Sequence, residues 1–258
     1  KGGVGKTTTA INLGAALAEK GQRVLMVDLD PQGNASTGLG LFARERGVSV
    51  YDVLSGDATV GEAAVASGLP RLEVLPAHGD LAGLDVELAE SGDRAFRLRH
   101  ALRPMPDDGT DGALVAWDIV LIDCPPSLSI LTVNAMTAAD SVLVPLQCEF
   151  FALEGLSQLL ATIRRVQQRL NPALRMEGII LTMYDKRNNL SAQVALDVRE
   201  NLGDLVYRTL VPRNVRLSEA PSHAMPALVY DPDCVGSRAY RSLAAEMLQR
   251  SAGDLQMA

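Results

Sequence analysis

Residues 1–8 read Lys1-Gly-Gly-Val-Gly-Lys-Thr-Thr8. Glycines at Gly2, Gly3 and Gly5 let backbone N–H groups, including that of Val4, turn toward a single anion with no Cβ in the way. A helix beginning near Lys6 aims the positive end of its dipole at the same point. There the Lys6 ammonium can reach β- and γ-phosphate oxygens, and the Thr7 hydroxyl can hold Mg²⁺. The common phosphate-loop pattern asks for a further glycine one place before Lys1. This chain shows instead a variant headed by a second lysine, Lys1. Such a loop follows a strand, so about 5–10 residues of strand are expected ahead of Lys1.

Two further elements answer the loop downstream. In Val24-Leu-Met-Val-Asp28-Leu-Asp30-Pro-Gln-Gly-Asn34, a buried strand runs into two acids and a tight turn. Ligand chemistry in an open parallel sheet gathers at the carboxyl ends of strands, so Asp28 or Asp30 can face a γ-phosphate. In Val120-Leu-Ile-Asp123-Cys-Pro-Pro126, apolar residues again end in an acid. Asp123 suits an acid that supports Mg²⁺. Alone it would read as a strand-end cap; in this order the three elements read as a nucleoside-triphosphate site.

The rest of the chain alternates short apolar runs with helical patterns. Strands are expected over 23–28, 72–76, 118–123, 141–145, 178–183 and 205–211, with a shorter one over 227–230. Runs without polar alternation suit strands covered on both faces. Helices are expected over 7–20, 81–102, 154–170, 191–202 and 236–249. The alternation predicts an α/β fold: a doubly wound, mostly parallel sheet with helices on both faces, in one domain spanning 1–258. Residues 104–112, acidic and turn-rich, read as a surface loop.

Composition narrows the function classes. The chain has 258 residues, 47% hydrophobic and 21% charged, which excludes disordered, collagenous and coiled-coil chains. No apolar run is long enough to suggest a membrane span. Cys124, Cys148 and Cys234 are far apart with no CxxC pair, against a disulfide framework or zinc site and in favour of a reducing cytoplasm. No signal peptide is expected. The net charge of −7 argues against bulk attraction to nucleic acid. However, residues 155–216 hold ten basic against five acidic side chains, so a local basic face is possible. His78, His100 and His223 form no defensible catalytic arrangement, and Trp117 reads as core.

Lys1-Gly-Gly-Val-Gly-Lys-Thr-Thr8, Asp28-Leu-Asp-Pro-Gln-Gly-Asn34 and Asp123-Cys-Pro-Pro-Ser127 resemble the deviant Walker-A ATPases. Pro212-Arg-Asn-Val-Arg-Leu-Ser-Glu-Ala-Pro-Ser-His223 and Tyr230-Asp-Pro232 resemble the ParA/Soj branch that segregates chromosomes and plasmids. The resemblance runs to about residue 250. It implies an ATP-driven monomer–dimer switch, with Lys1 reaching the partner's phosphates and Gly2 where the two backbones approach. Gly3, Val4, Gly5, Lys6, Thr7 and Thr8 would hold ATP, and Thr7 and Asp123 the Mg²⁺. Asp30 would position the attacking water. Met183, Pro212, Arg213 and Asn214 would line the adenine pocket.

The same resemblance implies non-specific DNA binding in the ATP state through Arg187 and Arg216, with Lys186 beside them. It also implies a ParB-type centromere-binding partner that stimulates slow hydrolysis, and a cytoplasmic, nucleoid-associated protein. Arg164, Arg165 and Arg169 read as a solvated helix face. A MinD-like membrane ATPase is the rival, but the residues after Gln249 lack a basic amphipathic pattern. An iron–sulfur carrier would need paired thiolates, and a ParA-like ATPase positioning another cargo stays open.

Overall fold

The computed structural model describes residues 3–103, 117–149 and 152–257. Lys1, Gly2 and the loop expected over 104–112 lie outside the described residues. The chain opens with a left-handed Gly5 and enters helix α1 (Lys6–Glu19), rich in alanine and leucine and ended at Gly21, whose φ is also positive. Strand β1 (Val24–Asp28) follows and is buried throughout. After it come α2 (Asn34–Gly38), α3 (Val50–Ser55) and α4 (Val60–Ala63). The last two start on capping boxes, Ser49 with Asp52 and Thr59 with Glu62. A short β2 (Val65–Ala66) and β3 (Leu72–Leu75) lead to α5 (Leu84–Glu87), α6 (Arg97–Leu102), β4 (Ile119–Asp123) and α7 (Ile130–Ala138). The remainder is β5 (Ser141–Gln147), α8 (Ala152–Arg169), β6 (Arg175–Tyr184), α9 (Asn189–Leu202), β7 (Val206–Pro212), α10 (Val215–Glu219), α11 (Ala227–Tyr230) and α12 (Val235–Met257).

The strands form two sheets, in the orders β2-β3-β1-β4 and β5-β6-β7. All pairings are parallel except β2 with β3. In β1, Val24 and Met26 face a core shared with α1 and α12, while Leu25 and Val27 face a core built with α3, α6 and α7. That period-2 split is why the strand is apolar at every position. The first of these cores also holds Ile180, Tyr207 and Val211 of the second sheet, so one apolar mass backs both sheets. Among the described residues β4 is bonded only to β1 and β5 only to β6, and both strands line a cleft of about 1210 Å³.

Two expected elements differ. Residues 227–230 form α11, not a strand. Pro226 leads into the turn, Ala227 N–H donates to Asn12 Oδ1 at 2.8 Å, and Ala227 and Leu228 are buried against α1. The long helix expected over 81–102 is broken into a 3₁₀ turn (Gly79–Ala82), α5 and α6. Gly83 and Gly92 weaken it, and the Ser91 hydroxyl bonds Asp93 to close a turn between the pieces. Trp117 is only partly buried, its indole N–H donating to Glu73 at 2.6 Å.

Candidate functional site

The loop before α1 has Gly3 at φ 78° and Gly5 at φ 86°, a backbone that side-chain-bearing residues rarely adopt. Its Val4 carbonyl accepts a hydrogen bond from the Thr182 hydroxyl at 3.0 Å. This bond ties the loop to the carboxyl end of β6. The next residue, Met183, is itself left-handed (φ 53°), and its Cε lies under Gly5. A non-glycine residue held there carries about 1–3 kcal/mol of strain, which the surrounding structure must offset.

Lys6, Thr7 and Thr8 form the first turn of α1. Lys6 and Thr7 lie beside Asp123 at the end of β4, which pairs in register with Asp28 of β1. Both acids are almost fully buried, and Asp30 is 9% exposed. Asp28 is well partnered. Its Oδ2 accepts from Ser36 N–H at 2.8 Å and from the Ser36 hydroxyl at 2.7 Å, and its Oδ1 from Asp30 N–H at 3.2 Å. Burial still raises its pKa, against those bonds and the Arg46 charge. Asp30 accepts Gln32 N–H on Oδ1 at 3.0 Å, and Gly33 N–H closes the turn onto the Asp30 carbonyl at 2.8 Å.

Asp123 stands differently. Burial pushes its pKa up to about 7, the Thr7 hydroxyl bond and Lys6 pulling down while Asp28 and Asp30 push up. Its Oδ2 is buried with no hydrogen-bond partner. A buried carboxylate oxygen left open beside a threonine hydroxyl and a lysine fits a divalent cation. Among the described residues no cluster of three or more His, Cys, Asp or Glu could hold a metal alone. A cation here would therefore draw most of its ligands from phosphate and water. The neighbouring Cys124 is not a thiolate: burial raises its pKa to about 12, and its thiol faces the Ile122 carbonyl.

The expected adenine residues converge only in part. Met183 and Pro212 sit at adjacent strand ends, where Tyr184 pairs with Pro212 and Arg213 N–H bonds the Tyr184 carbonyl at 3.0 Å. Asn214 is turned to helix capping, accepting Arg216 N–H at 2.9 Å. The expected DNA residues form two separate hooks. Lys186 and Arg187 are exposed after β6, with Arg187 paired to Asp185 at 3.0 Å. Arg216 on α10 pairs with Glu219 at 2.8 Å and Asp231 at 3.3 Å, and lies over Tyr230, which stacks on His223. Ser36, Arg46 and Thr182 escaped the sequence reading. Only the position of Ser36 in a small polar stretch after the Asp30 turn hints at a role.

A family model described as an AAA domain matches residues 1–176. The chromosome partitioning protein ParA of Caulobacter vibrioides is 59% identical over 250 residues, covering 97% of this chain and 91% of that protein. The chromosome-partitioning ATPase Soj of Treponema pallidum is 50% identical, covering 97% and 94%. Among solved structures, one named cobyrinic acid a,c-diamide synthase from Mycobacterium smegmatis, with bound ADP and magnesium, superposes with TM-score 0.79 at 40% identity, covering 98% and 92%. With a glycine loop, a helix start and two strand-end carboxylates at one point, and with these relatives along almost its whole length, the chain belongs to the ParA/Soj family of chromosome-partitioning ATPases.

Proposed function

We propose that this ATPase is a nucleotide-timed clamp on DNA. ATP binds at Gly3–Thr8, with Lys6 on the phosphates and Thr7 and Asp123 toward Mg²⁺. The observation that carries this is the open Oδ2 of Asp123 beside the Thr7 hydroxyl at the N-terminus of α1. The ADP and magnesium bound to the 40%-identical Mycobacterium protein support it. Magnesium held there would neutralise charge on the phosphate oxygens. Lys6 adds fixed positive charge, and Asp30 orients the attacking water. Positioning and charge carry most of phosphoryl transfer.

In this reading ATP joins two copies of the chain, with Lys1 of each copy reaching the other's phosphates across Gly2. Met183, Pro212, Arg213 and Asn214 border the base. Dimerisation doubles a weak basic surface of Lys186, Arg187 and Arg216, so an acidic chain holds DNA only when loaded. A ParB-type partner stimulates turnover, and the protein is cytoplasmic and nucleoid-associated. No described helix is long and apolar enough to cross a membrane. The test uses Asp30→Ala with ATP. A trapped dimer that retains DNA supports the reading, and a monomer on sizing overturns it. Parent protein that binds DNA equally with and without ATP overturns the clamp.

A further inference from the structure

Arg46 lies on the surface loop between α2 and α3, next to the exposed Ala43–Glu45 turn and Gly47, yet its guanidinium turns inward. Its Nε donates to the Leu41 carbonyl at 3.0 Å and its Nη1 to the Ala77 carbonyl at 3.3 Å. Its Nη2 donates to the Gly33 carbonyl at 2.9 Å and to the Thr37 hydroxyl at 2.8 Å. Every one of these acceptors is neutral. A surface arginine ordinarily seeks a carboxylate or water, whereas a planar fork placed on three carbonyls and a hydroxyl fixes the backbone that carries them.

That backbone bears Asp30. Gly33, whose carbonyl Arg46 holds, is also the residue whose N–H closes the turn onto the Asp30 carbonyl. On the other side, the Ala77 peptide offers its carbonyl to Arg46 and its N–H to the Ser36 hydroxyl at 3.1 Å, and Ser36 bonds Asp28. Asp28 thus grips the segment 30–37 at residues 30 and 36, and Arg46 at residues 33 and 37. Gly33 leaves no slack: its φ is 64°, and a Cβ there would lie 2.0 Å from Arg46 Nη1.

We propose that Arg46 is a positioning residue for ATP hydrolysis, holding the Asp30 carboxylate at the phosphate loop through the Gly33 carbonyl. The proposal rests on the role given to Asp30 above. It also accounts for Asp28, which serves the turn rather than the nucleotide.

The test is single-turnover hydrolysis and nucleotide affinity for parent, Arg46→Ala, Asp30→Ala and the double variant, all in the full chain. Arg46→Ala should lower the rate between about tenfold and about a hundredfold, the range for a displaced catalytic group, with ATP affinity within about threefold. In the Asp30→Ala background it should cost nothing further, because the group it positions is gone. Gly33→Ala should show the same rate-specific loss. If Arg46→Ala proves insoluble, Arg46→Lys carries the same cycle, since an ammonium cannot reproduce the fork. Parent-like turnover, equal losses in both backgrounds, or a loss of nucleotide binding that accounts for the rate overturns the proposal. Parent-like turnover by Asp30→Ala would instead remove the reading of Asp30 on which it stands.

Discussion

Asp28 and Asp123 stand opposite each other in neighbouring parallel strands, and the Leu29 N–H crosses to the Asp123 carbonyl at 2.9 Å. Two carboxylates therefore leave the sheet at one level, both nearly inaccessible. Their partners separate them. Asp28 is held by Ser36 and the Asp30 N–H, while the buried Oδ2 of Asp123 has no hydrogen-bond partner.

The open acid makes metal-free stability depend on pH. Asp123 ionises at about 7 when folded and near 3.8 when unfolded. Between those values the folded chain keeps a proton that the unfolded chain loses. The group's contribution to stability thus falls as pH rises from about 4 to about 7, and is constant above. A gap of about three units corresponds to roughly 4 kcal/mol. Asp123→Asn should gain on the parent in urea melts toward pH 8 without Mg²⁺. A parent–variant difference that stays flat from about pH 5 to 8 would contradict the burial of this acid.

Ser36 joins two groups through one hydroxyl, so Ser36→Ala removes one bond from Asp28 Oδ2 and leaves the Ala77 N–H short of a partner. The cost should be about 1–3 kcal/mol, or a melting temperature lower by several degrees. Calorimetry checks it, and an unshifted transition would mean that the Asp28 network is not formed.

Lys6 and Lys1 should fail in different ways. Lys6→Ala should abolish nucleotide binding, measured with a fluorescent ATP analogue. Lys1→Ala should bind nucleotide nearly as the parent does and not turn it over. Normal turnover by Lys1→Ala would remove the cross-subunit role.

Arg187 and Arg216 should report through salt. If each meets a phosphate, alanine at either lowers the slope of log affinity against log salt by about 1 for each phosphate no longer neutralised. Anisotropy titrations on duplex DNA with ATP measure this. An unchanged slope would leave both arginines to their own carboxylates.

Much of the fold could be read from sequence because strands covered on both faces leave a continuous apolar trace. Val24–Asp28, buried at every position, is of this kind. Ala227–Tyr230 misled because four apolar residues satisfy a strand or one helical turn equally, and the deciding contacts come from α1, where Asn12, 215 residues away, accepts Ala227 N–H. At the site, Lys6, Thr7, Asp28, Asp30 and Asp123 were legible as residue types at loop and strand ends. Which acid is satisfied and which is open was not, because Ser36, Ala77 and Arg46 reach it from other elements. No local pattern marks Arg46, whose neighbours Glu45 and Gly47 are exposed.

Thr182 and Arg187 share the last peptides of β6 and the bend just beyond them. One props the Val4 carbonyl, and the other is pinned to Asp185 in the open. Between them sits Met183, wound against its preferred twist at φ 53°. The phosphate loop and the outward-facing guanidinium are thus held by neighbouring links of one strand end. If a triphosphate and DNA bind as proposed, both would act on one short stretch of chain at the end of β6.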